Sequence, residues 1–144
     1  MKVESYLGKI VVYLFDKDKY TSSDIKGTLI KVFDELNKYY NYEFSDSYNL
    51  SLYTNKYYGM ILEITENDNN ISDYNIVNLE LNILKDTLFL YEVDEVLDYL
   101  NNEIYYYEDK FYINIKKLDI NLLENSNIIY GNDVYKIIGK GIKI

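Results

Sequence analysis

The sequence contains no cysteine, histidine or arginine, and it also lacks proline, alanine, glutamine and tryptophan. Without cysteine there is no disulfide and no thiolate, which excludes the disulfide-rich secreted class and a thiol redox role. The thiolate and imidazole ligands of zinc and copper sites are missing as well, so we expect no metal site and no cofactor. Carboxylates, lysines and tyrosines remain as the groups that can carry function.

Long apolar runs are also missing. No stretch approaches the ~20 apolar residues that a membrane span requires. The apolar run at 10–15 is too short for a signal peptide, and no small-residue cleavage site follows it. The sequence therefore predicts a cytoplasmic protein with no membrane partner.

The net charge is −9, and the acids are concentrated in the middle of the chain. Residues 60–110 hold thirteen acids against Lys85 and Lys110, which gives this stretch −11. Such a field repels nucleic acids and anionic membranes and attracts basic partners. All fifteen cations are lysines, so the bidentate guanidinium fork is absent. We expect a basic protein surface as partner and no direct binding of nucleic acid.

Tyrosine is unusually frequent, with nineteen residues. The abundance of Ile, Asn, Lys and Tyr is typical of an AT-rich genome, in which tyrosine serves as a large core residue. Tyrosine is also enriched at protein interfaces, because its ring offers a stiff amphipathic surface. The sequence leaves both interpretations open.

The clearest element of the first half is a helix. Thr21–Asp24 offer capping side chains, and apolar residues then recur every three or four positions, which predicts a helix over Ser23–Tyr40. A central strand at Ile10–Phe15 precedes the helix, and a hairpin over 50–64 follows it. We expect the apolar stripe of the helix to be buried: Leu29, Val32, Phe33 and Leu36.

The second half has a weaker pattern. Alternation over Val77–Ile83 predicts a strand with one wet face, and Thr87–Val93 reads as another strand. Asp94 is placed to cap a short helix that carries Val96, Leu97 and Leu100. A hairpin is predicted around Asp109-Lys110, and turns are predicted at 131–133 and 139–141.

These elements predict an α+β fold, with an antiparallel sheet packed on one long and one short helix. Strand, helix and hairpin recur in the same order in both halves, which indicates two degenerate β-α-β-β halves. We interpret residues 1–144 as a single domain with possible subdomains at 1–66 and 74–144, joined by a polar loop.

No pattern of acids supports catalysis. Paired carboxylates such as Glu92 with Glu95 are typical of a solvated face, although a carboxylate-based hydrolase is an alternative. The oxygen-rich stretch 66–70 does not fit an EF-hand loop, because Asp73 and Leu79 occupy the glycine and bidentate glutamate positions. We therefore assign no catalytic or metal-ligating residue and expect a protein that is not an enzyme.

The acids around residue 95 lie next to tyrosines, and this mixture is typical of a protein-binding surface. Acidic side chains steer a basic partner, while tyrosine rings supply contact area. The candidate binding residues are Tyr91, Glu92, Glu95, Asp98, Tyr99 and Tyr107.

Residues 90–144 resemble the C-terminal domain of MecA-type adaptors. The resemblance is carried by the segment Tyr91–Leu97, the hairpin Ile104–Ile115 and the ending Ile129–Ile142. It implies an adaptor that hands substrates to a Clp-type unfoldase, and it identifies no functional residue. The leading hypothesis is therefore a non-enzymatic acidic protein-binding or adaptor module. The alternatives are a nucleic-acid-mimicking inhibitor, for example one encoded by a phage, and an uncharacterised housekeeping protein.

Overall fold

The computed structural model describes residues 1–43, 48–57, 59–66, 79–117 and 119–144. The chain is α+β, and it divides into two compact units. Unit 1 comprises residues 1–54 and 59–84, and unit 2 comprises residues 55–58 and 85–144. Each unit is built around its own five-stranded sheet.

In unit 1 the helix is α1 (Ile25–Tyr40), and the strands are β1 (Lys2–Tyr6), β2 (Lys9–Leu14), β3 (Tyr48–Asn55), β4 (Gly59–Glu66) and β5 (Leu79–Leu84). The strand order is β1-β2-β4-β3-β5. Strand β2 pairs antiparallel with β1 and β4, whereas β5 pairs parallel with β3. The expected strand at the start and the expected hairpin are thus both confirmed as neighbours in one sheet.

Helix α1 begins one residue after Asp24, which caps it. The Asp24 carboxylate accepts a hydrogen bond of 3.0 Å from the Gly27 amide, so Asp24 itself lies outside the helix predicted to start at Ser23. A Cβ at position 27 would collide with that same carboxylate. The cap therefore favours glycine at this position over a residue with a side chain. Val32 and Leu36 are fully buried, as expected.

Two of the four predicted core residues of α1 are less buried than expected. Leu29 and Phe33 are only partly covered and pack at the margin of the apolar cluster. That cluster is formed mainly by one face of the sheet, from β2, β3 and β4. The stripe is therefore wider than the surface against which it packs.

Strand β5 differs from its prediction in two ways. It belongs to unit 1, although the sequence placed it in the second half. Neither face of the strand is buried over Glu80–Leu84, because all of these residues are exposed. Among the described strands β5 pairs with β3 alone, so it forms an edge of the sheet. Val77 and the polar loop at 67–73 lie outside the described residues.

In unit 2 the helices are α2 (Ile120–Asn125) and α3 (Asn132–Lys140), and the strands are β6 (Leu90–Val93), β7 (Glu103–Tyr107), β8 (Lys110–Asn114), β9 (Ile128–Ile129) and β10 (Ile142–Lys143). The strand order is β10-β7-β8-β6-β9. The predicted hairpin is confirmed as β7 and β8, which pair antiparallel. Its two-residue turn is Glu108-Asp109, one residue earlier than the predicted Asp109-Lys110, and both residues have positive φ, as a type I′ turn requires.

The helices of unit 2 correct the sequence-based prediction. Instead of a short helix capped by Asp94, the chain forms a single 3-10 turn over Leu97–Tyr99, with no side-chain cap. Leu97 and Leu100 are 67% and 61% exposed, because a single turn is too short to pack both side chains against the sheet. Where only turns were expected near the end, α3 buries Val134 and Ile137.

No helix in the described part of the chain is both long and apolar enough to cross a membrane.

Candidate functional site

An open groove of about 300 Å³ lies in unit 2, between the end of β6 and helix α2. One wall is the stretch from Glu92 to Tyr99, which includes the 3-10 turn. The other wall is polar and comes from one side of α2. The described lining residues are Glu92, Val93, Asp94, Glu95, Asp98, Tyr99, Asn121, Leu122, Asn125 and Ser126.

Backbone pairing brings the two walls together. Strand β9, which follows α2, pairs antiparallel with β6 through Leu90↔Ile129 and Tyr91↔Ile128. The Glu92 amide extends this pairing by donating to the Asn127 carbonyl at 2.9 Å. Asp119 starts α2 by accepting a hydrogen bond from the Leu122 amide at 3.2 Å. Helix α2 is thereby fixed beside the acidic end of β6.

The groove is strongly acidic. Its described lining includes four carboxylates and no cation. Asp94, Glu95 and Asp98 are exposed, so their charges face solvent. Carboxylates that line a concave surface focus their field into it and attract cations. The groove is therefore suited to a positively charged partner.

Glu92 is the one groove carboxylate that also braces the unit. Its Oε2 accepts a hydrogen bond from Asn127 Nδ2 at 2.8 Å, and its Oε1 lies 2.9 Å from Lys110 Nζ. The hydrogen bond from Asn127, followed by the bond and charge of Lys110, lowers the pKa of Glu92. Glu92 therefore stays ionised while it ties β6 to β8 and to the segment before β9.

Tyr99 supplies an aromatic surface at the groove. Its ring is half-buried. Burial raises the pKa of its phenol, and the charges of Asp119 and Asp98 raise it further. The hydroxyl thus remains protonated and can donate a hydrogen bond to a bound partner.

Exposed apolar side chains are next to the lining residues along the chain, although they are not part of the described lining. Leu97 and Leu100 flank Asp98 and Tyr99 on the 3-10 turn, and Ile120 precedes Asn121 on α2. Leu97, Leu100 and Ile120 are each more than 60% exposed. Exposed large apolar side chains beside a charged groove are typical of interaction surfaces.

The structure brings together four of the six candidate binding residues: Glu92, Glu95, Asp98 and Tyr99. Tyr91 is not available to a partner, because it is 1% exposed in β6. Tyr107 is half-buried and packs against an apolar cluster that includes Leu90 and Val134, away from the groove. The described lining of the groove thus includes neither Tyr91 nor Tyr107, since tyrosines in strand patterns do not reveal which face is covered.

Sequence reasoning missed part of the groove. The sequence predicts Asp94 as a helix cap, and Asn121 and Asn125 are not among the candidate binding residues. Proximity to Glu92 and Glu95 along the chain was the available signal for Asp94. For α2 no local signal exists, because its position depends on the pairing of β9 with β6.

The acids of the stretch 60–110 are divided between the two units. Glu63, Glu66 and Glu80 belong to unit 1, whereas the groove acids belong to unit 2. Within unit 2, Glu103 accepts hydrogen bonds from Tyr105 and Asn114 instead of lining the groove. The functional candidate is therefore the four-carboxylate groove and not the entire −11 segment.

Among the described residues, no group of three or more acidic side chains is arranged to hold a metal ion. The chain matches no family model, no curated protein and no solved structure, so the role of the groove rests on its own residues.

Proposed function

We propose that the protein is a non-enzymatic binding or adaptor module that holds a basic segment of a partner protein in the groove of unit 2. The observation that carries this proposal is the convergence of Glu92, Asp94, Glu95 and Asp98 on one concave surface beside Tyr99. A lysine- or arginine-rich segment is the partner whose charge matches this lining.

The exposed apolar side chains indicate that the partner segment also carries apolar residues. A purely cationic peptide would leave Leu97, Leu100 and Ile120 in water, whereas a segment that also carries apolar side chains would cover them. Interface affinity comes mainly from buried apolar and aromatic anchors, while rim charges set the association rate and the choice of partner. The fitting partner is therefore a segment that is both basic and apolar.

Hydrolysis by paired carboxylates is less well supported. That chemistry requires one carboxylic acid with a raised pKa beside an ionised carboxylate. The pKa of Glu92 is lowered, first by the hydrogen bond from Asn127 and then by Lys110. Glu92, the least exposed groove carboxylate, is therefore not suited to be the acid of such a pair, and the other three groove carboxylates are exposed to solvent, so binding is better supported than catalysis.

The adaptor role is also supported by the resemblance of residues 90–144 to the C-terminal domain of MecA-type adaptors. That role places the protein in the cytoplasm, with a protein partner and no direct nucleic-acid or membrane partner. A mimic of nucleic acid would use the same charges but would bind a DNA- or RNA-binding surface. The two functions are separable by experiment.

A charge-matched pair of variants tests the groove. The groove variant Asp94→Asn/Glu95→Gln/Asp98→Asn removes three charges and leaves the bracing Glu92 intact. The control variant Asp34→Asn/Glu108→Gln/Asp133→Asn removes three exposed charges outside the groove. Both variants change the net charge by the same amount, so a difference between them reports on position and not on total charge.

The probe is a labelled peptide of alternating Lys and Leu pairs, measured by fluorescence anisotropy at low and physiological ionic strength. We expect the groove variant to bind about tenfold more weakly and the control variant to bind like the native protein. Binding should also weaken as salt screens the charges. Equal weakening in both variants would show that the groove is not the site. Preference for a DNA-binding domain over the peptide would favour the mimic.

A further inference from the structure

Unit 1 contains a separate cleft of about 180 Å³, far smaller than the acidic groove. It lies between the tip of the β1-β2 hairpin, the segment after α1, and the paired ends of β3 and β4. The described lining residues are Ser5, Tyr6, Gly8, Lys9, Ile10, Tyr42, Glu43, Tyr48, Ile64 and Glu66. Three tyrosine rings and two carboxylates therefore meet in a small space.

Hydrogen bonds position the aromatic walls. Tyr42 donates to Ser5 Oγ at 3.0 Å, and its ring stacks on Tyr40 at 6.5 Å between centroids. Tyr6 donates to Glu4 Oε2 at 2.6 Å, which fixes the ring while leaving it 54% exposed. Tyr48 is 7% exposed and belongs to the core of unit 1, so this wall of the cleft is rigid.

The hairpin tip already holds a cation against one of these rings. Tyr6 and Lys9 are cross-strand partners on either side of a two-residue turn, in which Gly8 takes a φ of 73°. Paired residues point to the same face of a sheet. The Lys9 ammonium accordingly lies 5.2 Å from the centroid of the Tyr6 ring. The face of Tyr6 is thus shown to accept an ammonium group.

The carboxylates favour a cation over an anion in the cleft. Glu43 and Glu66 contribute two negative charges against the single positive charge of Lys9. The Glu66 amide donates to the Gly8 carbonyl at 3.1 Å, which keeps the end of β4 beside the hairpin tip. Aromatic faces combined with nearby carboxylates are the usual means of binding quaternary and methylated ammonium groups.

We propose that this cleft binds a methylated ammonium group, with Lys9 acting as a tethered competitor for the Tyr6 face. A lysine ammonium is strongly hydrated, whereas a methylated ammonium has less hydration to lose on entering an aromatic cleft. A methylated guest therefore displaces Lys9 from the ring. This site is independent of the groove in unit 2 and does not rest on its proposed role.

The direct test uses tetramethylammonium chloride as the probe and two-dimensional NMR as the readout. Titration should shift the ring resonances of Tyr6, Tyr42 and Tyr48 and the amides of residues 5–10. Neutral tert-butanol and matched sodium chloride should leave these resonances in place. Equal shifts with tert-butanol, or no shift with tetramethylammonium, would overturn the proposal.

Three variants separate this site from general attraction of cations to an acidic protein. Tyr6→Leu removes the aromatic face and should weaken binding by about tenfold, whereas Tyr6→Phe keeps the face and should bind within about twofold of the native protein. Lys9→Met removes the competitor and should strengthen binding by about threefold. General attraction predicts no effect of either Tyr6 change.

Tyr6→Leu is expected to fold, because the ring is more than half exposed. Circular dichroism checks this point, and Lys9→Met provides an independent measurement if the hairpin is disturbed. Unchanged or weaker binding by Lys9→Met would show that Lys9 does not compete for the site, and would overturn the proposal.

Discussion

Unit 1 and unit 2 each contain three strands in the same order, but the segment that connects the first of these strands to the other two differs between the units. In unit 1 the strands β2, β3 and β4 lie in the order β2-β4-β3, and in unit 2 the strands β6, β7 and β8 lie in the order β6-β8-β7. In each set of three, the hairpin lies beside the first strand of the set, and the second strand of the hairpin is in the middle. Unit 1 thus has the β-α-β-β arrangement expected from the sequence, whereas unit 2 has the same strand order without an α-helix in the crossover.

The crossover between the first strand and the hairpin is where the units diverge. In unit 1 it contains the sixteen residues of α1, which bury Thr28, Val32 and Leu36. In unit 2 it contains the three-residue turn Leu97–Tyr99, in which no residue is buried. The first crossover is part of the core, and the second is part of the surface.

Unit 2 obtains its helical cover from another part of the chain. Val134 and Ile137 of α3 join Leu90, Tyr105 and Tyr112 in its apolar cluster. Helix α3 supplies these contacts, whereas the 3-10 turn in the crossover of unit 2 has no buried residue. This crossover carries Asp98 and Tyr99 and forms a wall of the acidic groove. The comparison teaches that the same strand order can be covered by helices from different parts of the chain, and that in unit 2 this arrangement leaves the crossover exposed beside the groove.

The largest expected effect tests whether only the first crossover is structural. Leu36→Ala in α1 should destabilise unit 1 by about 2–5 kcal/mol, because Leu36 is fully buried. Leu97→Ala in the crossover of unit 2 should change stability by no more than about 0.5 kcal/mol, because Leu97 is 67% exposed. Urea unfolding followed by NMR resonances of each unit measures both. Similar losses for the two variants would refute the distinction.

A somewhat smaller effect tests whether α3 contributes to the core of unit 2 as α1 contributes to the core of unit 1. Ile137→Ala should destabilise unit 2 by about 2–4 kcal/mol, since Ile137 is 4% exposed. Tyr135→Ala on the same helix is the matched control, and its 59% exposure predicts a change within about 0.5 kcal/mol. If Ile137→Ala is equally mild, α3 does not carry the core of unit 2.

The same comparison shows what the sequence could predict. Helix α1 was predictable because its apolar period is sustained over sixteen residues and begins at a capping aspartate. The β7-β8 hairpin was predictable because two runs rich in isoleucine and aromatic residues flank a short polar turn. Helix α3 was missed, since it has nine residues and contains Gly139, and its apolar signal is limited to Val134, Ile137 and Ile138.

The groove was predictable only in part, for a related reason. Glu92, Glu95 and Asp98 are close along the chain, so local sequence was enough to group them. The contribution of α2 depends on the two-residue strand β9 pairing with β6, a contact between distant segments. The burial of Tyr91 likewise depends on what covers β6. Local patterns record neither of these.

The smallest expected effect concerns two carboxylates, Glu35 in unit 1 and Glu92 in unit 2, each of which forms an ion pair with a lysine and accepts a side-chain hydrogen bond. Glu35 Oε1 lies 2.6 Å from Lys19 Nζ, and its Oε2 accepts a hydrogen bond of 2.7 Å from the Tyr20 hydroxyl. Glu92 is held in the same way by Lys110 and Asn127. Burial opposes ionisation of Glu35, but Lys19 and Tyr20 outweigh it, so the pKa of Glu35 is lowered, as is that of Glu92.

A carboxylate whose folded pKa is lowered contributes stability above its unfolded pKa, and this contribution is lost as pH falls through the folded value. Glu35→Gln and Glu92→Gln should each cost about 1 kcal/mol or less at neutral pH, and the deficit relative to the native protein should shrink below pH 4.5. Urea unfolding over an acidic pH series measures this loss. A deficit that stays constant across the series would show that these carboxylates act by packing and not by charge.

The alkaline side of the profile should separate the two units. Burial first, and then the Glu35 carboxylate, raises the pKa of Tyr20 to about 12. A raised tyrosine pKa contributes stability below the unfolded value of 10, and that contribution is lost as pH rises through the folded value. Removing the charge of Glu35 should lower the folded pKa of Tyr20, so that tyrosinate forms at lower pH and the alkaline loss of stability is smaller and ends at lower pH, whereas Glu92→Gln should leave the Tyr20 titration unchanged. Tyrosinate absorbance with urea unfolding at alkaline pH measures both, and identical titrations in the two variants would mean that Glu35 does not hold the Tyr20 proton.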